Sequence, residues 1–170
     1  MTTGKSNPGL RAVTAERVAG AEQKESLVEE TRAILEEARM VLPGIQALFG
    51  FQLIAVFNAR FAELAPSLQT IHLIALVACA VSMSLVMTPA AYHRIAERGR
   101  VSSRFAELAS WLIAAAMAPL ALSIALDVFV VSVVVAGNLV LGALIGAFLA
   151  MMFVAMWFVW PTIDARHRRR

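Results

Sequence analysis

Polar side chains that interrupt apolar stretches are the residues of this sequence whose types could do chemistry. Asp127 is the single carboxylate between Glu107 and Asp164, and long apolar runs surround it. A carboxylate in hydrocarbon needs a partner, a bound cation or a proton, so Asp127 could take part in ion movement; the alternative is a solvated Asp at the membrane surface. The residues that we predict as candidates for an ion pathway are Asp127, Gln46, Gln52 and Asn138.

Other polar groups near these candidates are expected to have structural roles. At about 100° per residue, Gln46 and Gln52 lie about 120° apart on a helix. No single face carries both, so each is expected to hydrogen-bond to another helix. Ser123 and His72 could line the same region as Asp127. Because no second histidine stands at metal-ligand spacing, we expect His72 to be a lone side chain at the membrane surface and not a ligand.

The sequence contains no pattern typical of an enzyme. It has no Gly-rich phosphate loop, no pair of histidines spaced as metal ligands and no nucleophile with a base nearby. Cys79 is the single cysteine, so no internal disulfide can form. We therefore expect no catalytic activity, no cofactor and no metal. The net charge is +3, but the basic residues stand beside apolar runs, which indicates a lipid bilayer as the partner and not a nucleic acid.

The elements that must position these residues are membrane-spanning helices. The chain is 59% hydrophobic and 16% charged, whereas soluble domains are about 45–50% apolar and about 25% charged. A span needs about 20 apolar residues. Four stretches free of Asp, Glu, Lys and Arg are long enough: 40–59, 64–93, 108–126 and 128–163. The predicted fold is an all-α integral membrane four-helix bundle over residues 43–163.

The boundary between the third and fourth spans needs a break, because a helix over 128–160 would be about 50 Å long. Gly137 and Asn138 are the best helix-breaking pair, which carries the third span past Asp127 to Ala136 and starts the fourth near Leu139. A turn at Asp127 is the alternative.

The regions outside the spans are predicted from composition and periodicity. Residues 1–14 are expected to be disordered, 15–42 to form a cytoplasmic amphipathic helix, and 164–170 to form a basic cytoplasmic tail. The acidic side of the helix suggests an oligomeric stalk, a cation-attracting vestibule or a plain solvated face. Proline breaks a backbone hydrogen bond in a helix, so kinks are expected at Pro43, Pro89 and Pro119.

The orientation in the membrane follows from the positive-inside rule. Basic residues precede the first span and follow the second and fourth, whereas the opposite side has only Arg60. Both termini are therefore expected to be cytoplasmic, in a multi-pass protein of the cell inner (plasma) membrane. The aromatic residues expected to anchor the inner membrane boundary are Tyr92, Trp111, Trp157 and Trp160.

Small residues on the fourth span predict a close helix contact. Gly142, Gly146 and Ala150 recur every four residues, so one helix face lets another backbone approach. The pattern does not distinguish a neighbour in the same chain from a second copy. Alanines make the third span similarly thin, so tight packing of spans three and four is the default expectation. We expect self-association as a homo-oligomer through this face, because four spans alone offer few walls for a pathway.

Several segments of the sequence resemble a known family. They are LPGIQALFGFQLIAVFNARF, PAAYHR at Pro89–Arg94, Leu126-Asp127 before a valine run, and WFVWP ending at Pro161. Over about residues 25–163, the chain is similar to small bacterial four-span membrane proteins grouped as a domain of unknown function, some of which carry a sodium:proton antiporter label. That family often has tyrosine at the position of His72, so the resemblance assigns His72 no role.

Two functions remain open from the sequence. The first is movement of a monovalent cation or proton by a small homo-oligomeric inner-membrane protein. The alternative is a non-transporting membrane adaptor or scaffold whose cytoplasmic helix binds a partner protein.

Overall fold

The chain is almost entirely helical in the computed structural model, which describes residues 8–96 and 102–168, without the side chains of residues 8–16 and 19. A turn of 3-10 helix at Ala59–Phe61 follows the first helix, and a π-helical turn at Ala155–Val159 joins the last two. No strand occurs in the described ranges. The α-helices are α1 (Pro8–Val56), α2 (Pro66–Ala96), α3 (Ser103–Ala136), α4 (Leu139–Val154) and α5 (Trp160–Arg168).

Four helical segments are long and apolar enough to cross a membrane, as the sequence predicts. They are Gly20–Val56, Pro66–Ala96, Ser103–Ala136 and Leu139–Arg168. The last is one helical segment, because the π-helical turn continues α4 directly into α5. The protein is therefore a multi-pass membrane protein whose transmembrane region is a four-helix bundle.

The break between α3 and α4 lies where the sequence places it. Gly137 has a φ of 60°, in the left-handed region that glycine adopts without strain, and it ends α3. Asn138 then caps α4, because its side-chain oxygen accepts a hydrogen bond from the backbone N–H of Leu141 at 3.1 Å. The third span thus continues past Asp127, and the alternative turn at Asp127 is wrong.

The N-terminal region differs from the prediction. Residues 1–7 lie outside the described ranges, but the chain is helical from Pro8, so disorder through residue 14 is wrong for residues 8–14. Proline suits the first position of a helix, where its missing N–H is not needed. No boundary separates residues 15–42 from the span, because α1 runs on through Pro43. Apart from half-buried Leu27, the described side chains over 17–30 are exposed, so no amphipathic face packs on the bundle there.

The centre of the bundle is the pair α2 and α3, onto which α4 packs from the side of α3 and α1 mainly from the side of α2. The two central helices bury small side chains at their contact, which lets their backbones come close. These residues include Ala75, Ala78, Cys79, Ser82, Ala106, Ala109 and Ala116. Pro89 and Pro119 lie inside helices that continue past them.

The glycines of α4 pack against α3 of the same chain. A Cβ atom at Gly142 would collide with the side chain of Val133, and one at Gly146 would lie 2.9 Å from the Cβ of Phe129. Ala150, one turn further, is half-buried. These contacts confirm the predicted tight packing of the third and fourth spans. The same face is therefore not free for the predicted assembly of two copies through Gly142 and Gly146.

The predicted aromatic anchors gather near one end of the bundle, where α2 ends, α3 begins and the last span finishes. Tyr92 stacks on Phe105 with a ring separation of 5.9 Å, and Trp157 contacts Phe153 at 4.6 Å. Trp111 and Trp160 are largely exposed. We call this end the lower end. The upper end is where α1 and α3 end and α2 and α4 begin.

Candidate functional site

A buried polar cluster lies near the upper end of the bundle, and Gln52 is at its centre. Gln52 stands one turn before the end of α1 and is only 3% exposed. Its amide nitrogen donates one hydrogen bond to Ser123 Oγ at 2.9 Å and another to Asp127 Oδ2. Ser123 and Asp127 are four residues apart on α3 and therefore share one helix face. The cluster thus connects α1 to α3.

His72 of α2 is the fourth member of this cluster. Its Nδ1 lies 3.3 Å from Asp127 Oδ1, and its Nε2 lies 3.0 Å from the backbone oxygen of Gln52. The ring also meets Phe61 edge-on, at a centroid distance of 5.3 Å. His72 is 6% exposed, so the prediction of a lone side chain at the surface is wrong. Each of the three helices α1, α2 and α3 contributes a polar side chain here.

The contacts of His72 allow the His72–Asp127 pair to share a proton. A backbone oxygen can only accept a hydrogen bond, so the tautomer that suits the contact with Gln52 carries its hydrogen on Nε2. Nδ1 then faces Asp127 Oδ1. A proton bound by either of these two atoms would be attracted to the other.

Two oxygen atoms of the cluster are incompletely satisfied. Gln52 Oε1 and Asp127 Oδ1 are buried and accept no regular hydrogen bond, and the contact of Asp127 Oδ1 with His72 is a long one. A buried acceptor without a donor costs about 1–3 kcal/mol. Such atoms mark a place where a proton or a small cation would be stabilised.

A cavity of about 430 Å³ reaches the cluster from the upper end. Gln52, His72 and Asp127 lie at its polar end, and Asn58 and Arg60 also line it. Its other walls are apolar side chains of α1 and α3, among them Leu48, Phe51, Val130 and Val134. Through this cavity, the mostly buried Asp127–His72 pair is partly accessible from the upper end of the bundle.

The structure brings together only two of the four predicted pathway residues. Asp127 and Gln52 meet directly. Gln46 is exposed on another face of α1, in keeping with the angular separation of the two glutamines. Asn138 accepts a hydrogen bond as the cap of α4 and lies outside the cluster.

His72 and Ser123 both lie beside Asp127, in the region that the sequence allows them to line. The expectation that is wrong for His72 is that of a lone side chain without a polar partner. The four-residue spacing of Ser123 and Asp127 was a usable signal for one polar face. No pattern within α2 indicates that His72 faces this side. In the chain segments that the structure describes, no three His, Cys, Asp or Glu side chains come together as ligands for a metal ion.

Comparisons with known proteins give a family but no activity. No curated protein matches the chain, and no solved structure matches it. A family model matches residues 21–161, most of the chain and all four members of the polar cluster, and its description assigns no function. On that match, the chain belongs to the family of unknown function DUF6328.

Proposed function

We propose that this protein takes part in the movement of protons or monovalent cations across a membrane, with Asp127 and His72 as its proton-binding pair. One observation supports the proposal: a carboxylate and an imidazole lie 3.3 Å apart, buried between membrane-spanning helices, where the two groups could share a proton. Ionisable groups at such positions are costly and mark proton relays and ion pathways in membrane proteins.

The proposed cycle begins with one proton shared by the Asp127–His72 pair. When the pair is protonated it is neutral, which suits its apolar surroundings. Loss of the proton toward the cavity leaves one negative charge on Asp127, still bonded to Gln52. The unsatisfied oxygens of Gln52 and Asp127 are then the ligand type that hard monovalent cations prefer. Exchange of a proton for such a cation is the reaction that the site supports best.

The orientation and assembly of the protein are part of the proposal. Arg94 and Arg104 flank the lower end, so the positive-inside rule favours a lower end and both termini in the cytoplasm of a bacterial inner membrane. The upper cavity then faces the opposite side. This cavity lies between α1 and α3, and a second copy placed there would supply a further wall. Such a homo-oligomer would use a surface other than the Gly142/Gly146 face.

The test is proton flux in sealed proteoliposomes that contain the purified protein. With an imposed pH gradient and external sodium or potassium, wild-type protein is expected to dissipate the gradient, and Asp127→Asn to reduce the rate at least tenfold. Gln46→Asn is the control, because Gln46 lies on the same helix as Gln52 but faces away. Absence of flux with wild-type protein, or equal flux with Asp127→Asn, contradicts the proposal.

A second candidate function rests on the first half of α1. Residues 17–30 extend from the bundle with their described side chains exposed, apart from half-buried Leu27. A helix that makes so few contacts within its own chain is a suitable docking surface for a soluble partner. This adaptor function predicts that a soluble protein co-purifies with the full chain and is lost when residues 1–30 are removed, while proton flux stays unchanged. Retention of that protein by the shortened chain contradicts it.

A further inference from the structure

We infer that a second cavity, entered beside Glu37 at the lower side, forms the other half of the path, and that the buried side chains of Cys79 and Ser123, the Cys79–Ser123 layer, separate it from the Asp127–His72 pair. This inference rests on the proposed proton function. It assigns that function a route and a barrier at named positions of the chain.

The lower cavity has a volume of about 210 Å³. It lies between α1, α2, α3 and Trp157 of the last span, and most of its lining is apolar. Its two polar lining residues are Glu37, which is exposed at the entrance, and Ser82, which is buried. The hydroxyl of Ser82 donates a hydrogen bond to the backbone oxygen of Ala116 at 2.9 Å, so the inner wall is polar on both α2 and α3.

The two cavities follow each other along the bundle. On α1, Ile45 lines the lower cavity and Leu48 lines the upper one. At about 1.5 Å per residue, this step is about 4.5 Å, less than one helical turn. On α3, Leu120 lines the lower cavity and Asp127 the upper one, a step of about 10 Å. The gap between the cavities is therefore narrow at α1 and about two helical turns at α3.

Cys79 and Ser123 fill this gap. Both residues have no exposed surface. The Cys79 thiol donates a hydrogen bond to the backbone oxygen of Ile45 at 3.7 Å, and Ile45 lines the lower cavity. Ser123 accepts a hydrogen bond from Gln52, which lines the upper cavity. Cys79 is thus bonded on the side of the lower cavity and Ser123 on the side of the upper one.

The side chains of Cys79 and Ser123 are small and polar, so a small movement would let water pass between them. A thiol and a hydroxyl each donate and accept hydrogen bonds, so water entering between them would find partners on both sides. When the layer is closed, no water-sized passage joins the two cavities, and a proton on His72 or Asp127 exchanges with the upper side alone. Opening of the Cys79–Ser123 layer gives the proton on His72 or Asp127 access to the lower cavity.

The first test measures access of water to the lower cavity and does not depend on transport. In a cysteine-free Cys79→Ser background, which keeps a small hydrogen-bonding group at the barrier, Met117→Cys places a thiol in the cavity wall, and Ala118→Cys places one at the same depth on the exposed face of α3. Ile95→Cys marks the lower end, because Ile95 is 79% exposed there. Charged, membrane-impermeant thiol reagents are applied to intact cells and to inside-out vesicles.

The expected result is labelling of Met117→Cys in the preparation that also labels Ile95→Cys, at least ten times faster than labelling of Ala118→Cys. Equal rates for Met117→Cys and Ala118→Cys, or labelling of Met117→Cys from the opposite side, would overturn the lower cavity as a water-filled entrance. Because this readout is chemical labelling, its result does not depend on whether the protein carries a proton flux.

The second test concerns the barrier. Cys79→Gly removes the thiol and is expected to raise passive proton leak at least threefold, and Cys79→Leu is expected to lower gradient-driven flux by a similar factor. Ala80→Gly and Ala80→Leu, at the neighbouring half-buried position, control for helix effects. The Cys79→Gly leak is measured again with Asp127→Asn, where it is expected to persist. If the leak of Cys79→Gly matches that of Ala80→Gly, the Cys79–Ser123 layer is not the barrier.

Discussion

The two opposite faces of α3 show two ways in which membrane helices meet. Phe129 and Val133 face α4, where two glycines let the backbones come close. Ser123 and Asp127 face α1, where they bond to Gln52 beside an open cavity. Asp127 and Phe129 are two positions apart, which is about 200° around the helix.

The difference between these faces comes from the partner helix. α4 presents glycines, so its backbone fits against the side chains of α3. α1 presents Leu48, Phe51 and Gln52, whose bulk keeps the upper parts of α1 and α3 apart. Tight packing on one side fixes α3 in place, and the looser side leaves room for polar groups and their exchange with solvent. Stability and proposed function are thus separated on a single helix.

Gly142→Leu should break the tight face and produce the largest loss of stability. A Cβ at Gly142 would collide with the Val133 side chain and lie 3.1 Å from the Val133 backbone nitrogen. Overpacking of this kind costs about 3 kcal/mol, which would appear as a lower free energy of unfolding in denaturant titration of the detergent-solubilised protein.

The matched control for this variant is Gly50→Ala. Gly50 lies inside α1, and a Cβ added there meets no atom within 4 Å. Alanine is favoured over glycine in a helix by about 1 kcal/mol, so this variant should be as stable as wild type or slightly more stable. Equal losses in the two variants would show that the α3–α4 contact does not depend on the glycine.

Gln52→Leu should damage the loose face with a smaller loss of stability. The variant leaves Ser123 and Asp127 without their donor, and an unsatisfied buried polar group costs about 2 kcal/mol. Gln46→Leu is the control, because Gln46 is exposed and its replacement should change stability by less than about 0.5 kcal/mol. The same denaturant titration measures both variants. If Gln46→Leu proves equally costly, the polar cluster does not hold α1 against α3.

The contrast between the faces also shows what the sequence could predict. Charge-free runs give the spans, and Gly137 with Asn138 gives the break, because length and turn chemistry are local properties. Periodicity also separates Gln46 from Gln52. It does not give the rotation of one helix relative to another. The position of His72 depends on how the segment 57–65 sets α2 against α1, so its contact with Asp127 does not follow from the sequence. The small residues do predict that α4 packs on α3, but not which residue of α3 meets Gly142.

Asn138→Ala should have the smallest of the three effects, and it tests whether the site extends to the turn between α3 and α4. Its side chain accepts the hydrogen bond from Leu141 N–H at 3.1 Å, and loss of an N-cap costs about 1 kcal/mol. Asn138→Ser can still cap the helix and should recover most of that stability in the same titration. Because Asn138 contacts no member of the polar cluster, proton flux should match wild type in both variants once the protein is folded. A loss of flux in both, with stability retained in Asn138→Ser, would return Asn138 to the ion pathway and make the α3–α4 turn part of the functional face.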